Sequence, residues 1–289
     1  KKQKNGTKTY NWYVANPINN YGVNINIGDY VSFSEKFKGE KGTLDCSYYV
    51  LRDHLAQAKK QFKEVPRMLK AFEYWFGPYP FYEDGYKITY KDIADMWIHE
   101  SFTNYSESLF VEYYYGKEAG AEYVIGTRNG IKNDKPIIGN YDVNNEGSGD
   151  MYPKGGNMLH TLRQILNNDK KWRAILRGLN STFYHQTVTT KQIEDYLSQQ
   201  IGIDLNPVFN QYLRDIRIPT FEYYFENNKL AYRWINCISG FNMPVKITIN
   251  GVEKWLKPET DWKTETNSEE NSKLIIDPNF YVLGSNITK

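Results

Sequence analysis

The chain has 289 residues, of which 40% are hydrophobic, so it is long enough to bury the core of one large domain or of two to three smaller ones. Its formal net charge of +2 is close to neutral and its Lys and Arg residues are scattered, which argues against a nucleic-acid partner. No apolar run approaches the roughly 18 residues of a membrane-spanning helix, so we expect no membrane span. The two cysteines, Cys46 and Cys237, form no CxxC motif, and whether they pair is open.

Strand-like sequence precedes the first helix. Apolar residues alternate with polar ones in three short segments, at 10–14, 21–27 and 30–33, and Gly-containing turns separate them. These few strands make an incomplete sheet. We therefore interpret residues 1–50 as the end of an N-terminal β-domain, a remnant and not a whole domain.

The middle of the chain has helical periodicity. Residues 52–76 carry apolar side chains at alternating spacings of three and four, which predicts one helix with a kink at Pro66. A second long helix is predicted at 95–115, with Asp92 or Asp95 as its N-cap. Further helices are predicted at 119–130, 154–166, 170–184, 190–201 and 204–214, with an irregular loop at 133–150. We assign residues 51–218 to one mainly helical domain.

From residue 219 onward the apolar period changes to two, which is typical of strands. Four strands are predicted, at 220–225, 230–235, 245–249 and 252–256. Asn227-Asn228 and Asn250-Gly251 stand where two-residue hairpin turns belong. Residues 219–289 are thus predicted to form an antiparallel β-sandwich, and the whole chain an α+β, multidomain protein.

The predicted helix at 95–115 carries a polar stripe. Glu100, Thr103, Asn104 and Glu107 fall at i, i+3, i+4 and i+7, and the flanking positions are largely apolar. If protein surrounds this helix, the stripe faces an interior site, where a carboxylate needs a metal, another cation or hydrogen bonds. The spacing alone leaves open a second interpretation, a partly solvated helix face.

A second unusual segment runs from Gly147 to His160. Its glycines let the backbone approach another group closely, and Tyr152 stands at the start of a predicted helix with Lys154 beside it. In a chain with 25 tyrosines, Tyr152 can also be read as a packing or surface phenol. The residues alone do not decide between these interpretations.

Both segments resemble motifs of one family. Trp97-Ile-His-Glu-Ser-Phe-Thr-Asn-Tyr-Ser-Glu107 resembles the W-x-x-E-G-F-x-x-Y-x-E helix of the aminopeptidase N-like zinc metallopeptidases, the gluzincins, and Tyr152-Pro-Lys-Gly155 resembles their Tyr-x-Lys-Gly motif. The separation of about fifty residues is similar too. Trp75-Phe-Gly-Pro-Tyr-Pro-Phe81 resembles the stretch before the family's substrate-binding strand. The chain looks most like the bacterial secreted or periplasmic members that lack the extra C-terminal helical domain.

The resemblance implies a thermolysin-like catalytic domain with Zn²⁺ as cofactor, a peptide substrate and a periplasmic or secreted location. In that family zinc activates a water, a Glu is the general base, and the N-terminal residue of a peptide is released. Glu100 would be the third zinc ligand, and Glu107 a carboxylate that orients a ligand His. Tyr152 would stabilise the oxyanion. Four residues would line the substrate groove: Gly147, Ser148, Asp150 and Lys154.

One departure from the family is large, because the HExxH zinc motif is absent. Counting back from Glu100, its two histidines would fall at Gly77 and Phe81. The four histidines, at 54, 99, 160 and 185, include no i, i+4 pair, and we expect His160 and His185 to be hydrogen-bonded core or surface residues. The GxMEN motif, which binds the substrate amine in the family, is absent as well. Both motifs would lie between residues 88 and 89.

Two explanations of this junction are open: the protein contains a segment there that the sequence omits, or the protein itself lacks it. We favour the first, because deleting a core helix would open a cavity at a cost of several kcal/mol. A chain that truly joins 88 to 89 would be inactive. It would then be a non-catalytic, peptide-binding remnant.

A third hypothesis is a carbohydrate-binding or adhesion role for the Tyr- and Trp-rich β-domain from Phe221 on, with Trp234 or Trp255 as candidate glycan-binding residues. Only the composition supports it. The preferred N-terminal residue and the oligomeric state are open.

Overall fold

The computed structural model describes residues 3–9, 11, 13–15, 25–80, 89–90, 93–184, 186–266 and 272–287. The chain divides into two compact units, Lys1–Thr89 and Tyr90–Lys289. The fold is α+β, as predicted. The division into three domains stays a prediction, and residue 88 at the predicted junction lies outside the described residues.

The first unit contains one hairpin and two helices among its described residues. Strands β1 (Tyr30–Gly39) and β2 (Gly42–Leu51) pair antiparallel along their whole length, and α1 (Leu55–Gln61) and α2 (Val65–Phe76) follow. The described residues of the predicted strands at 10–14 and 21–27 are not in strands. The predicted strand at 30–33 is confirmed within β1, and its partner β2 supplies the backbone hydrogen bonds.

The predicted single helix at 52–76 is two helices. A 3-10 turn, Phe62–Glu64, separates α1 from α2. Pro66 lies in the first turn of α2, where its missing N–H leaves no hydrogen bond unmade. The break therefore comes before the proline, and the predicted kink at Pro66 is wrong.

The second unit begins with helices. After the two-residue strand β3 (Thr89–Tyr90), they are α3 (Trp97–Tyr115), α4 (Lys117–Gly126), α5 (Pro153–Leu166), α6 (Asp169–Thr182), α7 (Thr190–Ile201) and α8 (Asn206–Arg214). The short strand β4 (Thr187–Val188) lies between α6 and α7. Helix α7 begins and ends where the sequence predicts, with a capping box between Thr189 and Gln192.

Asp95 does not cap α3, contrary to the prediction, and the alternative cap Asp92 lies outside the described residues. Helix α3 starts after a 3-10 turn, and its N-cap residue, Met96, makes no side-chain cap bond. The buried Asp95 carboxylate caps a different helix: its Oδ1 accepts from Thr190 N at 3.1 Å and from Thr190 Oγ1 at 2.6 Å, at the start of α7. A carboxylate at a helix N-terminus is favourable because it meets unpaired N–H groups.

The rest of the second unit forms two small sheets. Their strands are β5 (Thr220–Glu226), β6 (Lys229–Ile235), β7 (Val245–Ile249), β8 (Val252–Leu256), β9 (Lys263–Thr266), β10 (Leu274–Ile276) and β11 (Leu283–Asn286). One sheet has the order β11-β5-β6-β9 and the other β10-β7-β8. Strand β11 lies parallel to β5, so the predicted purely antiparallel pairing is wrong at this edge. The face-to-face packing of a sandwich stays a prediction.

The two predicted hairpin turns are confirmed. Asn227 and Asn228 both have positive φ, 50° and 56°, as do Asn250 and Gly251, at 50° and 85°. Two consecutive residues of positive φ match the right-handed twist of the strands on either side. Of the tryptophans considered for glycan binding, Trp234 is buried and donates its Nε1–H to the carbonyl of Met243, whereas Trp255 is partly exposed.

Helix α5 is the most enclosed element of the second unit. Its residues from Lys154 to Arg163 are all buried, although several are polar. Arg163 forms two hydrogen bonds with Glu112 of α3, at 2.6 and 2.8 Å, and one with Asp169 at 2.8 Å. Burial alone would lower the pKa of Arg163, but these carboxylates raise it above its usual value. The pair thus joins α3 to α5 inside the core.

Replacing Glu112 with Ala should leave the Arg163 guanidinium buried without the partner of two of its hydrogen bonds. We expect a loss of about 3–5 kcal/mol in the free energy of unfolding. Lys117→Ala is the matched control, because the Lys117–Asp169 pair is exposed and should contribute less than about 1 kcal/mol. Urea denaturation measures both. Equal losses in the two variants would contradict the role assigned to the buried pair.

Candidate functional site

Helices α3 and α5 approach each other closely at two glycines. A Cβ added to Gly155 would lie 1.9 Å from Ser101 Oγ, and one added to Gly156 would lie 2.5 Å from Asn104 Oδ1. Ser101 also donates its hydroxyl proton to the carbonyl of Met151 at 2.7 Å. The family pattern quoted above has Gly where this chain has Ser101, and a glycine has no side chain to make this hydrogen bond. The contact fixes α3 against the turn that leads into α5.

This contact brings the two predicted motifs together. Ser101 directly follows Glu100, and Met151 directly precedes Tyr152. Tyr152 is the N-cap residue of α5 and Pro153 the first helical residue, as the sequence predicts for a phenol at the start of a helix. Its side chain is 41% exposed, and Glu100 is half-buried. A half-buried carboxylate and an accessible phenol thus stand on elements that are directly hydrogen-bonded.

The polar stripe of α3 does not face the protein interior in the described structure. The buried side of α3 is formed by Trp97, Ile98, Ser101, Tyr105, Ser108 and Leu109. Of the stripe, Thr103 and Glu107 are exposed, whereas Glu100 and Asn104 are half-buried. The small serines explain why this side of α3 is the buried one, because they allow Gly155 of α5 and Gly120 of α4 to approach closely. The stripe therefore corresponds to the second interpretation, a partly solvated helix face.

Glu107 has a partner that the sequence did not indicate. Its Oε2 accepts a hydrogen bond from the Tyr123 hydroxyl of α4 at 2.7 Å. This bond is the main reason why the pKa of Tyr123 is raised. Glu107 is thereby held in one orientation on the exposed side of α3. Its predicted contact with a ligand histidine stays a prediction.

Three of the four predicted groove residues close the loop between α4 and α5. The buried Asp150 carboxylate accepts from the backbone N–H groups of Lys132 at 2.9 Å and Asn133 at 2.6 Å. Ser148 donates its hydroxyl proton to Asp134 Oδ1 at 2.5 Å. Gly147 is buried where a Cβ would lie 1.9 Å from the carbonyl oxygen of Ile137. These contacts are internal to the protein, and the predicted groove role of the three residues stays a prediction.

Lys154, the fourth predicted groove residue, is only 1% exposed. Its Nζ donates to the carbonyl oxygen of Asp215 at 2.8 Å. Burial lowers its pKa to about 8, against the opposing effect of the carboxylates of Asp150 and Asp215. The side chain therefore lies inside the protein. Its role in a substrate groove stays a prediction.

Histidines do not assemble into a metal site in the described structure. His160 is buried, its Nε2 lies 2.8 Å from Asn279 Oδ1, and burial lowers its pKa to about 4, which confirms a hydrogen-bonded core histidine. His185 lies outside the described residues. No three His, Cys, Asp or Glu side chains in the described ranges are grouped so that they could hold a metal ion. Because catalytic zinc requires about three protein ligands, Glu100 and its described neighbours do not fit a zinc site.

The comparison with family models decides the assignment of the middle of the chain. Residues 75–212 match the peptidase family M1 domain. Family M1 is the aminopeptidase N family, so the resemblance described above is confirmed. The matched residues include both the α3 motif of Glu100 and the α5 motif of Tyr152, and no curated protein matches the sequence.

A solved structure supports an M1-like fold over most of the chain. Aminopeptidase A of Legionella pneumophila, determined in complex with aspartic acid, is similar with a TM-score of 0.65 and 11% sequence identity. The alignment covers 91% of this chain but only 39% of that one, so the M1-like chain spans about two fifths of the length of its structural relative. No helix in the described ranges is both long and apolar enough to cross a membrane.

Replacing Gly155 with Ala tests the close approach of α3 and α5. The added methyl group would overlap Ser101, so we expect a loss of about 1–3 kcal/mol in the free energy of unfolding. Gly149→Ala is the control, because a Cβ there meets nothing within 4 Å. Chemical denaturation compares the two variants. A Gly155→Ala protein as stable as the Gly149→Ala protein would contradict the geometry of the contact.

The lowered pKa of Lys154 predicts a pH dependence of stability. The native side chain loses its proton near pH 8 and the unfolded one near its ordinary value of 10.5. Between these values the native state binds fewer protons, so stability should rise with pH relative to a Lys154→Met variant. Unfolding free energies at about pH 7 and about pH 9.5 measure this difference. Parallel pH dependences of wild type and variant would contradict the shift; Lys170→Met, at an exposed lysine, is the control.

Proposed function

We propose that the protein is an M1-type aminopeptidase that removes the N-terminal residue of peptides, in a periplasmic or secreted location. The observation that carries the proposal is the close approach of α3 and α5 at Gly155 and Gly156, which brings the Glu100 and Tyr152 motifs together. The M1 domain match covers both motifs, and the Legionella aminopeptidase shares the fold. Hydrolysis of a peptide bond here would need an acid and a phenol close to the same substrate, and Glu100 and Tyr152 would supply them.

Tyr152 would act on the reacting carbonyl. When the peptide carbonyl becomes tetrahedral, negative charge develops on its oxygen, and a phenolic hydroxyl can donate a hydrogen bond to it. Tyr152 is exposed to solvent, as a residue that contacts a substrate would be, while its backbone is held at the start of the buried helix α5. A donor placed in this way acts mainly in the transition state, so it affects kcat more than KM.

Glu100 would be one ligand of a zinc ion, and the other protein ligands are not among the described residues. We therefore assign no step to the metal. The proposal requires a segment at the junction of residues 88 and 89 that supplies two histidines and the general base. A protein that lacks this segment would retain the fold and would bind peptides without hydrolysing them.

The test uses the gene-encoded protein and measures zinc content together with hydrolysis of alanyl- and aspartyl-arylamides. Glu100→Gln should lower zinc affinity and activity by at least the roughly tenfold to hundredfold loss that follows removal of an outer-shell partner, because here a direct ligand is weakened. Tyr152→Phe should lower kcat by about 10²–10³ while zinc content stays unchanged. Glu122→Gln, at an exposed acid of α4, is the matched control.

Three results are informative against the proposal. Unchanged zinc content in Glu100→Gln would remove Glu100 from the metal site. Unchanged kcat in Tyr152→Phe would remove its role at the oxyanion. A wild-type protein with neither zinc nor hydrolysis, but with measurable peptide binding, would identify the protein as a non-catalytic binding remnant.

A further inference from the structure

We propose that Lys154 is a positioning residue for Tyr152, and that it acts by holding the first turn of α5 to the backbone carbonyl of Asp215. This inference rests on the proposed function of Tyr152. Lys154 follows Tyr152 by two residues, so the two side chains leave α5 on different sides. Tyr152 is accessible from solvent, whereas Lys154 is directed into the protein. An anchor on one side of the turn can therefore orient a donor on the other.

The partner of Lys154 is itself firmly held. Asp215 follows the last residue of α8, and its carboxylate accepts three hydrogen bonds from Arg217, at 2.7, 2.8 and 2.9 Å. Arg217 also donates to the carbonyl of Cys237 at 2.7 Å. The side chain of Gln211 joins the same elements, with a donor bond to Arg217 O at 2.8 Å and an acceptor bond from Ile238 N at 2.7 Å.

These contacts place Lys154 where the helices give way to strands. Residues 215–217 lie between α8 and β5, and 237–238 follow β6. The hydrogen bond from Lys154 thus links the start of α5 to a segment that is fixed to both the helical and the β part of the unit. A displacement of that segment would be transmitted directly to the turn that carries Tyr152.

The other side of the same turn is anchored to a different backbone segment. Asp150, two residues before Tyr152, is held by the backbone N–H groups of residues 132 and 133. Tyr152 therefore lies between two buried, oppositely charged residues, each hydrogen-bonded to a different backbone segment. Such support fixes the backbone of an accessible side chain without covering it, as a hydrogen-bond donor aimed at a substrate requires.

The choice of a lysine is itself informative. Burying an ammonium group is unfavourable, and an apolar side chain of similar length would pack at this position without that penalty. What the apolar side chain would not provide is a donor for the Asp215 carbonyl. The lysine also places a positive charge near the buried Asp150 carboxylate, so its bond to the Asp215 carbonyl connects the two anchors of the turn.

The experiment compares Lys154→Met with wild type in the gene-encoded protein, with Lys170→Met as the matched exposed control. Hydrogen–deuterium exchange of the backbone amides in 149–156 should become at least about tenfold faster in Lys154→Met and stay unchanged in Lys170→Met. The exchange of other helices should not change. With an aminoacyl-arylamide substrate, kcat should fall about tenfold or more at constant KM. The reason is that a displaced Tyr152 would lose a hydrogen bond that it makes to the substrate only in the transition state.

The two readouts separate this proposal from the proposed function. Wild-type exchange rates in residues 149–156 of Lys154→Met would overturn the positioning role, whether or not the protein is an enzyme. Faster exchange throughout the chain would overturn it too, because Lys154 would then act only on global stability. A wild-type protein that hydrolyses nothing would refute the aminopeptidase proposal, and with it the part played by Tyr152, even if the local exchange result holds. A fall of kcat confined to Lys154→Met, together with local exchange, supports both.

Discussion

The close packing of α3 against α5 is the constraint on which the described second unit depends. Two consecutive glycines, Gly155 and Gly156, leave room for Ser101 and Asn104, and any larger side chain would push the helices apart. Because the helices meet at this point, the residues on either side of the contact are brought close in space. Glu100 on α3 and Tyr152 at the start of α5 therefore both lie beside this helix–helix contact, although they are about fifty residues apart in sequence.

Buried polar groups fix the orientation of α5 relative to α3. Arg163 and Glu112 bind α5 to α3 further along the helix, whereas Asp150 and Lys154 hold the turn before it. Each of these groups is paired with an opposite charge or with backbone, as buried polar groups must be if they are not to cost stability. The result is a helix that is buried along most of its length and presents one accessible phenol at its start. That combination of rigid backbone and exposed donor is the physical basis of the proposed chemistry.

Much of this architecture follows from the sequence, and the parts that do not have identifiable causes. Apolar periodicity and turn residues located the helices and five strands, β1 and β5 to β8, and the capping box fixed the start of α7 at Thr190. Long-range pairings were not predictable from local signals: Asp95 caps a helix almost a hundred residues away, and β11 joins β5 in parallel. Hydrophobicity alone also left the interior face of α3 undecided, since it ignores the small serines that permit the closest packing. A pattern of small residues at Ser101, Ser108 and the α5 glycines was the available signal.

The central claim is that Glu100 and Tyr152 belong to an M1-type catalytic site completed by residues between 88 and 89. Peptide mapping by mass spectrometry of the protein from its natural source tests this claim most directly. The account predicts a peptide in which Ile88 is followed by additional residues that contain an HExxH sequence before Thr89. A peptide that joins Ile88 directly to Thr89 would contradict it, and the protein would then be an M1-like fold without a zinc site.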